Sequence, residues 1–196
     1  MRSSKFYLVG IILGFSLLFS ACQNENPVTT PDPNLKISTL ESNVLPGQLT
    51  EEERDGLIHM RLEEKVARDV YIYFGDLYNN KVFLNIKISE QKHMDAMKRL
   101  LDKYNVEDPV LDDTPGVFSD PVFQSLYNSF ILQGQTLNGA YLASRDIEEL
   151  DISDLEFQLT FVDNPDIIQV YTSLLAASEN HLASFLQHII VITQVQ

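Results

Sequence analysis

The sequence predicts an all-α domain: a bundle of four long helices arranged as two antiparallel hairpins, joined by a long crossover that carries a short extra helix. Three observations predict it. Four long segments repeat apolar residues at steps of three and four, the spacing of one helix face. Cap residues, in two places followed by proline, mark where the helices begin. No stretch of comparable strength alternates with the two-residue period of a strand. Each of the four apolar faces is also interrupted by an acid or a histidine, and that feature carries the functional argument.

The 196-residue chain suits one domain plus a leader. Arg2 and Lys5 precede an uncharged, mostly apolar run over residues 6–19. That run is shorter than the roughly 20 residues of a spanning helix and reads as a secretory signal, residues 1–21. It ends Phe19-Ser20-Ala21-Cys22, which resembles the bacterial lipobox, with Phe19 where leucine is usual. Cys22 is the only cysteine, so the expected lipidation site is also the only thiol. A disulfide framework or a cysteine-rich metal site is excluded. A lipid on Cys22 would tether the chain to a membrane on the periplasmic or extracellular side of the cell envelope. Residues 22–48 carry Pro27, Pro31, Pro33 and Pro46 among Asn, Thr and Ser, the composition of a flexible linker. The net charge of −14, from 28 acidic and 14 basic residues, argues against nucleic acid as a partner.

The domain expected over residues 49–196 opens on Thr50-Glu51-Glu52-Glu53, a capping box in which Thr50 caps and Glu53 reaches back. The first helix runs to about residue 78 with the face Leu57, Met60, Glu64, Ala67, Tyr71, Phe74, Tyr78. Glu64 alone interrupts it. Glu63 falls about 100° away, and Lys65 with Asp69 reads as an exposed i,i+4 pair. Asn79-Asn80 forms a turn, which makes the next helix an antiparallel neighbour. That helix, residues 82–104, presents Ile86, Glu90, His93, Met97, Leu100 and Tyr104 on one face.

Residues 105–134 form the crossover, broken by Pro109, Pro115 and Pro121. Asp120-Pro121 predicts a short helix that buries Phe123, Leu126, Tyr127 and Phe130 and stops at Gly134. Thr136 caps the third long helix, which reaches about residue 161. On a wheel centred on Ala140, Asp151 lies about 20° and Glu148 about 80° from the centre, while Glu149 points away. A break near Asp151-Ile152-Ser153-Asp154 is expected if Ser153 caps a new start. Asn164-Pro165 opens the fourth helix, with the face Ile167, Val170, Tyr171, Leu174, Ser178, His181, Phe185, His188. His188 lies two turns beyond His181, roughly 10 Å along the axis, too far to share an ion with it. His59 reads as a surface residue of the first helix.

Four faces therefore offer metal-competent side chains near mid-helix: Glu64, then Glu90 with His93, then Glu148 or Asp151, then His181. Several carboxylates buried at one depth repel one another unless cations sit between them. Carboxylate and imidazole without thiolate suit iron or manganese and tolerate zinc, mononuclear or dinuclear. Tyr71 and Tyr171 sit on the same faces, as core filler or as hydrogen-bonding groups beside the site.

Glu64-Lys65-Val66-Ala67-Arg68 is similar to the Glu-x-x-Ala-Arg of rubrerythrin-type first helices, and Glu90-x-x-His93 to their second. The order Glu, Glu-x-x-His, crossover, acid, His resembles the ferritin-like di-iron plan. More closely, residues 49–190 resemble a ferritin-like family known as domain of unknown function 2202. The matching pieces surround Glu63-Glu64, Ser89-Glu90, Ile147-Glu148 and Ser178-Glu179-Asn180-His181. The resemblance implies a ferritin-like four-helix bundle and a metal site, without a reaction. The chain departs from the di-iron plan at Ser178, where a glutamate is usual. The expected function is a membrane-tethered metal-binding protein acting in oxidation, peroxide removal or iron handling. The alternative is a non-catalytic binding or structural bundle with a degenerate site. Lacking a rubredoxin-like cysteine site, the chain would draw any electrons from a separate partner molecule. A homodimer is the assembly this reading allows.

Overall fold

The computed structural model describes residues 48–195, with side chains described through residue 189. The signal segment, Cys22 and the linker up to residue 47 lie outside the described residues. Among the described residues the chain is all-helical: α1 (Glu51–Tyr78), α2 (Lys81–Lys103), α3 (Pro121–Gln133), α4 (Leu137–Leu159) and α5 (Pro165–Val195). None of these helices is long and apolar enough to cross a membrane.

The helix starts follow local side-chain chemistry. The Glu53 amide donates to Thr50 Oγ1 at 3.0 Å and the Thr50 amide to Glu53 Oε2 at 3.0 Å, closing the capping box. The other Glu53 oxygen accepts from the Asn164 amide at 3.1 Å, which ties the start of α1 to the start of α5. Asn79 ends α1 in the left-handed region at φ 45°, and Asn80 caps α2 by accepting from the Val82 amide at 2.9 Å. Asp120, Thr136 and Asn164 accept from the second or third amide of α3, α4 and α5. The third long helix is unbroken, and Ser153 caps no new start within it. The helix continues through Ser153, because Asp151, Leu155 and Gln158 are buried on one continuous face that holds it together. Phe157 is exposed.

The helices α1 and α2 pack as one hairpin and α4 and α5 as another. The two hairpins meet where α1 packs on α4 and α2 on α5, and α3 lies against α1 and α4. Two apolar clusters form. One gathers Val70, Phe74, Phe83, Tyr141 and Phe185; the other gathers Met60, Met97, Leu101, Leu155 and Tyr171. In each long helix the metal-competent residues fall between a member of one cluster and a member of the other. Glu64 lies between Met60 and Val70, Glu90 and His93 between Phe83 and Met97, Glu148 and Asp151 between Tyr141 and Leu155, and His181 between Tyr171 and Phe185. A polar layer is thus enclosed between two hydrophobic cores.

The first helix departs from a simple amphipathic stripe: residues 61–70 are buried on every side. The Lys65–Asp69 pair, expected on an exposed surface, is enclosed. The crossover covers it. Lys65 Nζ donates to Asp69 Oδ2 at 2.5 Å and to the Thr114 carbonyl at 3.1 Å, and it lies 4.3 Å over the Phe118 ring. Arg68 grips Asp69 Oδ1 through Nε at 2.9 Å, reaches Asp113 Oδ1 at 2.7 Å, and donates to Gln91 Oε1 at 2.8 Å. Gly116, at φ 81°, turns its amide onto Asp69 Oδ2 at 2.9 Å, a conformation L side chains rarely adopt.

Arg61 completes the clamp with a two-pronged contact to Asp108, Nε to Oδ1 at 3.1 Å and Nη2 to Oδ2 at 3.0 Å. Burial would raise the Asp108 pKa, but the Arg61 guanidinium and the Val110 amide outweigh it and hold the carboxyl below its usual 3.8. A depressed pKa contributes stability that is present above the unfolded value and lost as pH falls through the folded one. Asp108→Asn, which resembles the protonated acid, should therefore melt below wild type at pH 6. The gap should close as pH drops below 3.8. Thermal melts across that range would show it, and a gap independent of pH would rule out the charge as its cause.

Candidate metal centre

The polar layer is built from one carboxylate of α1, a Glu-x-x-His pair of α2, two acids of α4 and a histidine of α5. Steps of three residues put Glu90 with His93, and Glu148 with Asp151, on single faces. The hairpin pairing then brings those faces together. Glu64, Glu90 and His93 have ligand atoms within 4.8 Å of one another, and so do Glu90, Glu148 and His181. Glu90 belongs to both groups.

His93 Nδ1 lies 2.7 Å from Glu90 Oε2 and 3.2 Å from Glu64 Oε2. His181 Nδ1 lies 2.8 Å from Glu90 Oε1 and 3.6 Å from Glu148 Oε2. The two imidazoles are stacked, with ring centroids 5.7 Å apart. Tyr71 donates to Glu148 Oε1 at 2.6 Å, so this tyrosine lies beside the centre. Tyr171 is buried in the second apolar cluster. His188 stands apart from the centre: its Nδ1 meets the Ser184 carbonyl at 2.8 Å and its ring stacks on Tyr141 at 5.0 Å.

Asp151 is placed differently from Glu148. Ser178 Oγ, at the α5 position three residues before His181, lies 2.6 Å from Asp151 Oδ2 and 3.1 Å from the Leu174 carbonyl. Asp151 Oδ1 is buried without a hydrogen-bond partner. The same holds for Glu64 Oε1, Glu90 Oε1 and His181 Nδ1. The last two are close in space but lack the angles of a hydrogen bond, so proximity alone does not satisfy them.

The electrostatics describe a crowded layer. Burial pushes the Glu64 carboxyl up to about 8, with the Glu90 charge adding to it and His93 opposing it. Burial raises Glu148 to about 7 with the same help from Glu90. Burial and then the Glu64 charge push Asp151 well above the carboxylate range. Glu90 goes the other way. Burial would raise it, but His181 and His93 outweigh burial and bring it to about 2. Glu90 is thus the acid of the layer that its surroundings favour in the ionised form, whereas burial disfavours the charge on Glu64, Glu148 and Asp151, a cost that a cation would offset.

Sequence reasoning missed Glu63. It is buried beside a second group, His59 and Asp154, and His59 is half-buried between them instead of lying free on the surface. The missed signal was charge balance. Arg61, Lys65 and Arg68 are interleaved with Glu63, Glu64 and Asp69, a pattern that can be buried because it can be paired.

An all-helical bundle with a buried carboxylate–imidazole layer defines the class of protein to which this chain belongs. The chain is a member of the family described as uncharacterized protein domain DUF2202, whose model matches residues 53–194. It is similar to the uncharacterized protein MJ0754 of Methanocaldococcus jannaschii, with 47% identity over 145 residues, covering 73% of this chain and 78% of the relative. The crystal structure of hypothetical protein MJ0754 matches with a TM-score of 0.73 and 45% identity, covering 76% of this chain and 87% of that one.

Proposed function

We propose that this chain is a ferritin-like metalloprotein that holds two iron or manganese ions in its core and serves oxidation, peroxide removal or iron handling. The observation that carries this reading is the pair of triads sharing Glu90. The donor set fits the group. Four buried carboxylates meet two imidazoles; Glu64 Oε1 and Asp151 Oδ1 have no hydrogen-bond partner, and Glu90 Oε1 and His181 Nδ1 face each other at 2.8 Å without hydrogen-bond angles. Leaving such atoms unpaired costs stability unless a cation engages them. Glu64 and His93 would serve one ion, Glu148 and His181 the other, and Glu90 both.

Ser178 stands where the di-iron plan has a glutamate, and Asp151, which lies outside both triads, is the acid beside that position. The α4 acid is held beside Ser178, so a carboxylate is present in the layer although α5 does not supply one. A bound redox-active pair would supply the one-electron steps such chemistry requires. The chain supplies the surroundings. Tyr71, its phenol raised well above 10 by burial and then by the Glu148 charge, stays protonated and orients Glu148. The two apolar clusters limit water access to the layer. Electrons would come from a separate partner, and a lipid on Cys22 would keep the domain at a membrane surface.

The test is elemental analysis of the chain, purified without a histidine tag, reconstituted anaerobically with ferrous iron and desalted. About two irons per chain are expected. No retained iron, manganese or zinc would sink the reading and leave the alternative of a non-catalytic bundle with a degenerate site.

A further inference from the structure

His59, Glu63 and Asp154 lie outside the core layer, where α1 meets α4. His59 Nε2 is 3.0 Å from Asp154 Oδ2 and 3.6 Å from Glu63 Oε1, and the three ligand atoms lie within 4.8 Å of one another. The His59 side chain is 43% exposed and the Asp154 side chain 31%, so solvent reaches the group from outside. Glu63 is only 6% exposed, and its second oxygen, Oε2, is buried with no hydrogen-bond partner. Glu63 therefore turns one oxygen toward the imidazole and keeps the other buried and unpaired, a costly arrangement for a purely structural contact. It is an ordinary one for a divalent-cation site with a nitrogen and carboxylate donor set.

The position of Glu63 relates the group to the core. Glu63 and Asp151 line the same small cavity, walled by Val66, Ala67, Ile147 and Phe130. Asp151 is the α4 acid of the core layer, and Glu64 follows Glu63 in the chain. Glu63 thus belongs to the outer group and also shares a cavity wall with Asp151, whose carboxyl feels the Glu64 charge.

We propose that His59, Glu63 and Asp154 form an outer divalent-cation site from which ions pass to the core carboxylates. The passage rests on the reading of the core as a metal centre; the outer site does not. The site takes one divalent ion of the manganese, ferrous or zinc kind, more weakly than the core, because two of its three ligands are open to water.

The probe is manganous ion alone, titrated into the full chain and followed by the loss of its free-ion paramagnetic resonance signal. Glu90→Ala removes the ligand shared by both core triads, and that chain should still bind one ion. Adding His59→Gln or Asp154→Asn to it should weaken that ion at least about tenfold. In chains with an intact core, the same two substitutions should leave final core content unchanged but slow its filling by about tenfold. A Glu90→Ala chain that binds no ion would overturn the outer site and leave the group an ion pair. Unchanged filling rates would overturn the passage. If the core reading itself fails, wild type and Glu90→Ala bind the same single ion, and His59→Gln still removes it.

Discussion

Asp69→Ala should cost the fold on the order of 3–5 kcal/mol, while Asp102→Ala should cost under about 0.5 kcal/mol. The comparison is controlled by the sequence itself. Lys65–Asp69 and Lys98–Asp102 share the same residue types, order and spacing, with contacts of 2.5 and 2.7 Å. They differ in burial. Side-chain exposure is 1% and 0% in the first pair but 48% and 62% in the second. Removing Asp102 lets Lys98 return to water. Removing Asp69 leaves Lys65 and Arg68 enclosed with their shared anion gone, and frees the Gly116 amide that holds the crossover. The penalty is that of an uncompensated buried charge, which greatly exceeds the worth of the contact. Urea denaturation with linear extrapolation should show the midpoint falling sharply for Asp69→Ala alone. Equal losses in the two variants would mean that burial of the first pair does not matter.

That contrast also shows what the sequence could and could not disclose. Helix starts were legible because each cap is a local signal: Thr50, Asn80, Asp120, Thr136 and Asn164 act on amides two or three residues away. The polar layer was legible because Glu64, Glu90, His93, Glu148, Asp151 and His181 interrupt apolar faces. The burial of Lys65 and Asp69 was not legible. It depends on a crossover some 45 residues distant, and periodicity reports only which side of a helix a residue takes. Helix periodicity presumes one wet side, and α1 has none along residues 61–70. The same presumption put Glu63 and His59 outside. Ser178 looked like a lost ligand because its partner Asp151 lies on another helix, 27 residues away. The alternative start that Ser153 offers in α4 goes unused for the opposite reason. Ser153 is a sound local cap signal, and buried Leu155 and Gln158 override it.

The layer and the clamp place the same chemistry under different constraints. Around Asp69 every charge has a partner, and that network holds the crossover against α1. Around Glu90 the acids outnumber the imidazoles and several atoms are unpaired. A fold selected for stability alone would fill that space with apolar side chains, which often do as well or better than buried ions. Retaining the imbalance at the junction of two hydrophobic clusters is the expected mark of a functional site.

On the proposed two-ion reading, Glu90→Ala should abolish retention of both core ions, whereas Glu64→Ala should affect chiefly the ion served with His93. Glu90 is the residue common to the two triads. Its loss removes a ligand from each ion at once, for which a fall in affinity of at least about 100-fold is a conservative expectation, since outer-shell changes alone cost 10–100-fold. Metal-free stability should fall by less than the loss of the Glu90 contacts alone would cost. Glu90 anchors His93 and His181, but its charge also raises the pKa of Glu64 and Glu148, so its removal loses one interaction and relieves another. In wild type, two ions each present at about 100 times its Kd add about 5 kcal/mol, so a chelator should lower Tm by about 10–20 °C. Glu90→Ala, desalted before the melt, should show almost none of that drop. Glu149→Ala, an exposed neighbour of Glu148 on α4, should show all of it. Elemental analysis after desalting gives the second readout, with both ions gone in one variant and both kept in the other. If Glu90→Ala kept its full metal content and its chelator-sensitive Tm, the shared-ligand assignment would be wrong, and any bound ion would have to lie elsewhere in the molecule.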